Sequence, residues 1–303
     1  MKKVQVLLSS YNGENYIREQ LDSILKQEKV DIHLLIRDDG STDGTRDILK
    51  QYETAQKNIT VTYGKNLGVI KSFFELIKQA DSQADYIAFS DQDDVWLSGK
   101  LNRAVSLLEQ QEHNNTPFVY CSAQQLTDGQ LNPLPSGIRY KQVRPAFENA
   151  LVENMCTGCT CVINRKMLGL LKDREPDFTV MHDFWIYLVG SCFGSVVYDT
   201  QSYILYRQHA KNELGAASSL LENYKRRIRN FKKHRGQLTR QAEELLRLYG
   251  GEMPPTQQQL ARELVQAKTK RNLRWKLIRT GGIFRQRKSD DVIMKSLLLL
   301  GLL

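Results

Sequence analysis

The chain has 303 residues, 41% hydrophobic and 25% charged, which excludes a disordered, fibrous or membrane-embedded protein and allows one or two buried cores. Its net charge of +9 is unevenly placed: residues 211–303 hold 21 Lys and Arg against 8 Asp and Glu, a net +13, and residues 1–210 are net −4. That division predicts an acidic catalytic half and a basic half that meets an anionic partner, either nucleic acid or a membrane surface.

Met1-Lys2-Lys3 runs straight into Val4–Leu8, too short and too strand-like for the apolar core of a signal peptide. No apolar run reaches about 20 residues, so the chain is expected in the cytoplasm. Val4–Ser9 reads as a strand ending in the turn Ser9-Ser10-Tyr11-Asn12-Gly13. Asn15–Lys26 places Ile17, Leu21, Ile24 and Leu25 at helical spacing. The strand Ile32–Ile36 ends in Arg37-Asp38-Asp39-Gly40-Ser41-Thr42-Asp43-Gly44, with Ser41 or Thr42 able to cap a helix over about 46–52. Ile59–Tyr63 alternates as a half-buried strand, and a helix over 70–78 follows a loop.

Tyr86–Phe89 is a short apolar run that ends in three carboxylates, Asp91, Asp93 and Asp94, just before Trp96. Like charges this close repel and raise one another's pKa unless a cation sits among them. Carboxylates at a strand end suit a hard divalent ion, Mg²⁺ or Mn²⁺, that completes its shell with phosphate oxygens and water. Capping the helix expected over 97–110 needs one carboxylate, not three. With a further strand over 118–121, the first 120 residues read strand–helix four times and then strand, which predicts a parallel, doubly wound α/β sheet. The clusters at Ser9–Tyr11, Asp38–Asp39 and Asp91–Asp93 then gather on one sheet edge, where open α/β sheets bind nucleotides. No GxGxxG or GxxxxGK[ST] motif is present, which argues against a dinucleotide fold and a P-loop.

Residues 128–147 are expected to be a loop. Cys156-Thr157-Gly158-Cys159 is formally a CxxC, but Cys121 and Cys192 do not make the second pair a zinc site requires, so reduced thiols are expected. Thr157–Ile163 reads as a tight turn into a strand. An apolar helix over 180–192 opens with Asp183 at a capping position, and residues 196–198 and 204–206 read as two short strands. Beyond residue 215, Leu220, Tyr224, Ile228, Phe231, Leu238, Ala242, Leu245 and Tyr249 form an apolar stripe flanked by Lys225, Arg226, Arg229, Lys232 and Lys233. Pro254-Pro255 breaks the chain, and Thr256–Gln259 matches a capping box. The helix that follows carries Lys268, Lys270, Arg271, Arg274, Trp275 and Lys276, and residues 292–303 are almost wholly apolar. A basic amphipathic region of this kind predicts either an anionic membrane surface or subunit pairing. Two domains are expected, 1–215 and 216–303.

Taken in order, these motifs resemble the inverting family 2 glycosyltransferases of GT-A fold, over about residues 3–212. Ser9-Ser10-Tyr11-Asn12 is similar to the family's opening motif, Asp38–Asp43 to its second motif, and Asp91-Gln92-Asp93 to its DXD motif. His182-Asp183 stands where the family has a Glu-Asp pair, so His182 is a departure. His209, in Tyr-Arg-Gln-His-Ala-Lys-Asn, matches a late histidine.

The resemblance implies a mostly parallel sheet flanked by helices and followed by a basic helical region. It makes Asp183 the catalytic base and gives Asp93 and His209 to Mg²⁺ or Mn²⁺. Asp91 orients the ribose or completes the metal site. Asp38 and Asp39, with Ser9, Tyr11 and Asn12, hold the nucleotide. Arg207 pairs with the diphosphate or with a carboxylate. Trp96 and Trp185 are either sugar-stacking walls or core, and Thr157, Gly158 and His182 are further acceptor contacts.

The form Ser-Asp-Gln-Asp-Asp-Val-Trp and the stretch Met-Cys-Thr-Gly-Cys-Thr look most like bacterial rhamnosyltransferases. That implies a dTDP-L-rhamnose donor, a lipid-linked saccharide acceptor and a place on the inner face of the cell membrane, with a homo-oligomer as an alternative use of the basic helices and no nucleic acid. A UDP-sugar donor is the first alternative. A nucleotidyltransferase wants a basic phosphate loop, and residues 9–15 contain no Lys or Arg. A non-catalytic nucleic-acid or scaffold protein leaves the acidic strand ends without a purpose.

Overall fold

The structure is a computed structural model that describes residues 1–111, 116–135, 143–208 and 236–303. It divides into two compact units. The first comprises residues 1–139, 155–175 and 181–207; the second comprises residues 140–154, 176–180 and 208–303. The boundary expected at 215/216 lies outside the described residues.

The first unit is built on a sheet of eight strands. In chain order its elements are β1 (Lys2–Ser10), α1 (Ile17–Leu25), β2 (Val30–Asp38), α2 (Thr45–Ala55), β3 (Ile59–Tyr63), α3 (Val69–Gln79), β4 (Tyr86–Ser90), β5 (Val95–Trp96), α4 (Lys100–Gln111) and β6 (Phe118–Thr127). After α5 (Phe147–Ala150), which belongs to the second unit, come β7 (Val162–Asn164), α6 (Arg165–Leu171), α7 (His182–Phe193) and β8 (Ser195–Arg207). The spatial order is β3-β2-β1-β4-β7-β6-β8-β5. β1 is parallel to β2 and β4, β2 to β3, and β6 to β8, whereas β7 and β5 run against their neighbours. The sheet is therefore mostly parallel, as expected, with reversals at β7 and at edge strand β5. Val4, Val6, Leu8, Ile32, Leu34, Ile36, Tyr86 and Ala88 are buried in one core cluster, and Leu7, Leu35, Ile87 and Phe89 at the alternate positions are buried too, so the central strands lie between covered faces.

The chain winds outward from β1 through β2 to β3, then returns to the other side of β1 as β4. That is a topological switch point, where open α/β sheets leave a crevice beyond the carboxyl ends of the strands. Register fixes what lines it: Ser10 pairs with Asp38, Asp38 with Tyr63, and Leu8 with Ser90, the residue before Asp91.

Several expected elements differ. Residues 196–198 and 204–206 are one 13-residue strand, β8. The polar break between them, Thr200–Ser202, is a bulged stretch where β6 and β8 shift register, and the Asp199 carboxylate accepts from Gln201 N at 3.0 Å. β6 extends to Thr127. Helix α4 begins at Lys100, not 97, because Val95–Trp96 first pairs with β8. Helix α6 was not expected; Asn164 caps it by accepting from Met167 N at 3.0 Å.

In the second unit follow α8 (Gln237–Tyr249), α9 (Pro255–Gln266), α10 (Arg271–Arg279) and α11 (Lys288–Leu299). Thr256 does not cap. Pro255 occupies the first helical position, which suits its fixed φ and missing N–H. The single helix expected to carry Lys268 to Lys276 is two, α9 and α10. Arg274 donates to Ala267 O and Lys268 O at 2.7 Å each, taking the carbonyls that a continuing helix would use. The unit buries Ala242, Leu245, Tyr249, Leu264, Leu277, Ile283, Met294 and Leu298. The stripe from Leu220 to Phe231, with its flanking Lys and Arg, lies outside the described residues. Among the described residues no helix is long and apolar enough to cross a membrane.

Candidate active site

The crevice is closed by side chains that tie one strand end to the next. Asn12 adopts a left-handed conformation (φ 49°) that asparagine tolerates. Its N–H donates to Ser41 Oγ at 2.9 Å, and its Oδ1 accepts from Thr42 N at 2.8 Å. Ser9 Oγ bonds Ser72 Oγ at 2.7 Å. The two aspartates at the end of β2 are buried and take hydrogen bonds from the protein, Asp38 through Oδ1 alone, its Oδ2 having no partner among the described residues. Asp38 accepts from Ser41 N at 3.1 Å and Arg46 Nε at 2.7 Å. Asp39 pairs with Arg37 and accepts from Leu67 N at 2.9 Å and Gly68 N at 2.8 Å. Around them Tyr11, Tyr63, Leu67 and Val69 are exposed, apolar surface at the edge the polar strand ends share.

Gln92, the middle residue of Asp91-Gln92-Asp93, had no expected role. It holds the acidic loop against β1: Tyr11 N donates to Gln92 Oε1 at 2.8 Å and Gln92 Nε2 donates to Tyr11 O at 3.0 Å. A Cβ at Gly13 would fall 2.2 Å from Gln92 Oε1, so the glycine makes room for this clamp. Gln92→Ala removes both bonds and leaves the backbone groups to water. We expect about 1 kcal/mol less stability and a donor KM raised about tenfold by the misplaced loop, read by chemical denaturation and initial rates.

The acidic loop concentrates charge. Burial, then Asp94, Asp93 and Asp183 in turn, push the Asp91 carboxyl well above the usual carboxylate range. Burial and the Asp93 charge push Asp94 up to about 7. Asp94 Oδ1 accepts from Arg207 N at 3.1 Å, and Oδ2 has no hydrogen-bond partner among the described residues. Donor atoms of Asp91, Asp94 and Cys159 lie within 4.8 Å of one another. A buried carboxylate oxygen without a partner, among mutually repelling carboxylates, fits a hard divalent cation. A thiol is a poor ligand for such an ion, and burial with the Asp94 and Asp91 charges raises the Cys159 thiol well above its ordinary range. Behind the loop Lys100 is buried with its Nζ 3.5 Å from the Trp96 ring centroid, and burial lowers its pKa to about 8. The structure does not add Asp93 to the close donor set, and His209 lies outside the described residues.

Three residues that the sequence leaves open between ligand contact and structure take structural positions. The buried guanidinium of Arg207 donates to Asp93 O at 2.9 Å, to Gly129 O and to the Glu19 carboxylate, and lies 4.8 Å over the Tyr16 ring. It braces the acidic loop from behind and pairs with a carboxylate rather than facing a diphosphate. Trp96 and Trp185 are 3% and 0% exposed; both are core, and neither presents a face for a sugar to stack on.

Asp183 sits in the first turn of α7, where the helix dipole favours a carboxylate. Gly158 N, in the turn Gly158–Thr160, donates to its Oδ2 at 2.8 Å. Thr157 closes that turn, its carbonyl accepting from Thr160 N at 2.9 Å. Next to it, His182 is 3% exposed and stacks on Phe73 at 3.9 Å between centroids. Neither ring nitrogen has a hydrogen-bond partner among the described residues. Burial lowers its pKa to about 3, so it is a neutral core ring rather than an acceptor contact.

Since an unfolded histidine titrates near 6.5, the unfolded state binds the extra proton below that pH. The contribution of His182 is whole above 6.5 and is lost as pH falls toward 3, about 2 kcal/mol by pH 5. His182→Phe keeps the stack and removes the titration. The denaturation midpoint of the variant is expected to fall less than that of wild type between pH 8 and pH 5.

Comparison with known proteins bears on this crevice. The profile of "Glycosyl transferase family 2" matches residues 5–171. The chain is 33% identical over 234 residues to "dTDP-rhamnosyl transferase RfbG" of Shigella flexneri, covering 72% of this chain and 77% of that protein. It is 30% identical over 190 residues to "UDP-Glc:alpha-D-GlcNAc-diphosphoundecaprenol beta-1,3-glucosyltransferase WfgD" of Escherichia coli, covering 61% and 68%. In fold it is similar to S. aureus TarS 1–349 in complex with UDP-GlcNAc, with TM-score 0.59 at 18% identity over 90% of this chain and 74% of that one. It is also similar to the mannosyltransferase PcManGT from Pyrobaculum calidifontis in complex with GDP-Man and Mn²⁺, with TM-score 0.54 at 16% identity over 90% and 71%. Those neighbours share the GT-A fold. A profile that spans more than half the chain, with a relative one third identical over most of both lengths, is membership rather than likeness: the chain belongs to glycosyl transferase family 2 and is a glycosyltransferase.

Proposed function

We propose that the enzyme moves L-rhamnose from dTDP-L-rhamnose, with inversion at the anomeric carbon, onto a hydroxyl of a lipid-linked saccharide in bacterial cell-wall polysaccharide synthesis. Residues 1–215 supply the catalysis, and 216–303 form a basic helical appendage. The seat of Asp183 carries this reading: a carboxylate pinned by the Gly158 N–H at 2.8 Å, at a helix N-terminus, near enough to Asp91 to raise its pKa.

In this reading Asp183 takes the proton of the acceptor hydroxyl. The freed oxygen pair attacks the anomeric carbon from the face opposite the leaving group, and the bond from that carbon to the diphosphate breaks, its electron pair leaving with the nucleotide. Asp91 and Asp94 would hold Mg²⁺ or Mn²⁺, with Asp93 and His209 as the further ligands that the family resemblance implies, and the ion would supply positive charge to the departing diphosphate. Tyr11, with the exposed edge formed by Tyr63, Leu67 and Val69, receives the base. Asp38 and Asp39 shape that edge through Ser41 N, Leu67 N and Gly68 N. The choice of donor follows the relative named for dTDP-rhamnose, which matches more of the chain than the one named for UDP-Glc.

The test is release of nucleoside diphosphate from dTDP-rhamnose, UDP-glucose, UDP-galactose and UDP-N-acetylglucosamine, with Mg²⁺, Mn²⁺ or EDTA and a saccharide-lipid acceptor mimic. Release from dTDP-rhamnose that EDTA abolishes is the expected result. Release from a UDP-sugar alone removes rhamnose and leaves the transfer chemistry. Metal-independent release removes the cation.

A further inference from the structure

From Leu264 to Ser289 the chain carries nine Lys and Arg and no Asp or Glu. The second unit folds the middle of this stretch into α10. One side of α10 faces inward through Leu277. The other exposes Arg271, Asn272, Trp275, Lys276 and Arg279. Arg271 and Arg279 stand one turn to either side of Trp275, so the indole is bracketed by guanidinium groups. Trp275 is 54% exposed, whereas Trp96 and Trp185 are buried. Arg274 donates to Leu299 O at 3.1 Å, tying α10 to the end of α11. There Leu300, just past the end of α11, is 69% exposed, and Val292 within α11 is 63% exposed.

The sequence offered a different candidate for such a surface, the stripe that ends in Ala242, Leu245 and Tyr249. Those three are buried within the second unit, so along the described part of the stripe the apolar face is already covered. What the fold leaves outward is α10.

We propose that α10 is a membrane-contacting element, with Trp275 seated at the headgroup boundary of an anionic bilayer and Arg271 and Arg279 on lipid phosphates. Indole rings, apolar in body and polar at the N–H, collect at that boundary. Arginine's planar fork binds phosphate oxygens in pairs. Lys276 is paired with Glu263 and Lys268 with Glu243, which leaves Arg271 and Arg279, with no ion pair among the described residues, as the charges drawn to anionic lipid. Nucleic acid would be met by the charge alone and gives no use to exposed Leu300 and Val292. A second copy meeting this face with its own would bring like charges together, and one meeting it with its net-acidic residues 1–210 would form a dimer that the test below detects. The inference extends the lipid-linked acceptor reading but is measured without any substrate, so the two fail separately.

The experiment uses full-length protein with vesicles of phosphatidylcholine, or of phosphatidylcholine with about one third phosphatidylglycerol, in flotation and tryptophan fluorescence. Wild type is expected to bind the anionic vesicles and to show a blue shift as Trp275 leaves water. Trp275→Ser and the pair Arg271→Glu, Arg279→Glu are each expected to bind about tenfold more weakly or worse. Both should melt as wild type does and release nucleoside diphosphate in solution at the wild-type rate. In Trp275→Phe the fluorescence shift should vanish. Equal binding by wild type and the variants overturns the proposal, as does equal binding to neutral vesicles. So does a preference for RNA over anionic vesicles at the same salt, or a dimer in solution that Trp275→Ser dissolves. Vesicle binding without nucleotide release from any donor overturns the transfer reading and leaves this one standing.

Discussion

Asp183→Asn is expected to lower kcat about 10³-fold while leaving the donor KM within a few-fold. Asparagine has the same shape and still offers an oxygen to the Gly158 N–H that now meets Oδ2 at 2.8 Å. It loses the capacity to accept the acceptor's proton. Folding should be undisturbed, because the amide keeps the shape of the carboxylate and the helix N-terminus tolerates it. Steady-state rates with a saccharide acceptor, beside a thermal melt, separate the effects. If activity stays within tenfold of wild type, the base is another group. If KM rises with kcat unchanged, Asp183 is a binding residue.

Gly158→Ala is expected to act on the same carboxylate through packing. A Cβ at this position would lie 2.8 Å from His182 Nε2, 3.4 Å from His182 Cε1 and 3.5 Å from Asp183 Cβ. His182 cannot retreat, since Phe73 stacks behind it at 3.9 Å between centroids. Either the Gly158–Thr160 turn or the start of α7 must shift, and the Asp183 seat moves with it. A displacement of that order costs about 10²-fold in kcat, and the overpacked site loses about 1–3 kcal/mol. Gly169→Ala in α6 is the control, for nothing lies within 4 Å of its added Cβ. There the exchange should be neutral or slightly stabilising. Equal behaviour of the two variants would mean that the turn carries no positioning role.

The parts of this fold legible in the sequence were those fixed by local pattern. Apolar runs at residues 4–8, 32–36 and 86–89 became β1, β2 and β4, and the polar clusters after them met at one edge because parallel register leaves no other place. What stayed hidden depended on partners far along the chain. Nothing near Gln92 tells that its amide grips the backbone of Tyr11, 81 residues away; a glutamine between two aspartates reads as a spacer. The close Gln92 approach to Gly13 was the one trace, and a lone glycine is too common to read. Arg207 stayed open between a diphosphate and a carboxylate because nothing near it points to Glu19, 188 residues earlier, which takes the guanidinium. Trp96 and Trp185 were ambiguous for the same reason, since aromatic residues serve cores and sugar sites alike. The break between α9 and α10 has no glycine or proline to announce it; an arginine side chain bonding back to two carbonyls makes it.

All five cysteines, Cys121, Cys156, Cys159, Cys161 and Cys192, are free, buried and confined to the first unit. Burial holds the Cys156, Cys159 and Cys161 thiols above their ordinary range and pushes Cys192 up to about 12. Thiolate is the reactive form, so a thiol-modifying reagent meets almost none of it until the sheet opens. The rate of alkylation is then a clock for opening of the first unit, which holds all five thiols. A substrate that closes the crevice would slow that clock before any product is formed.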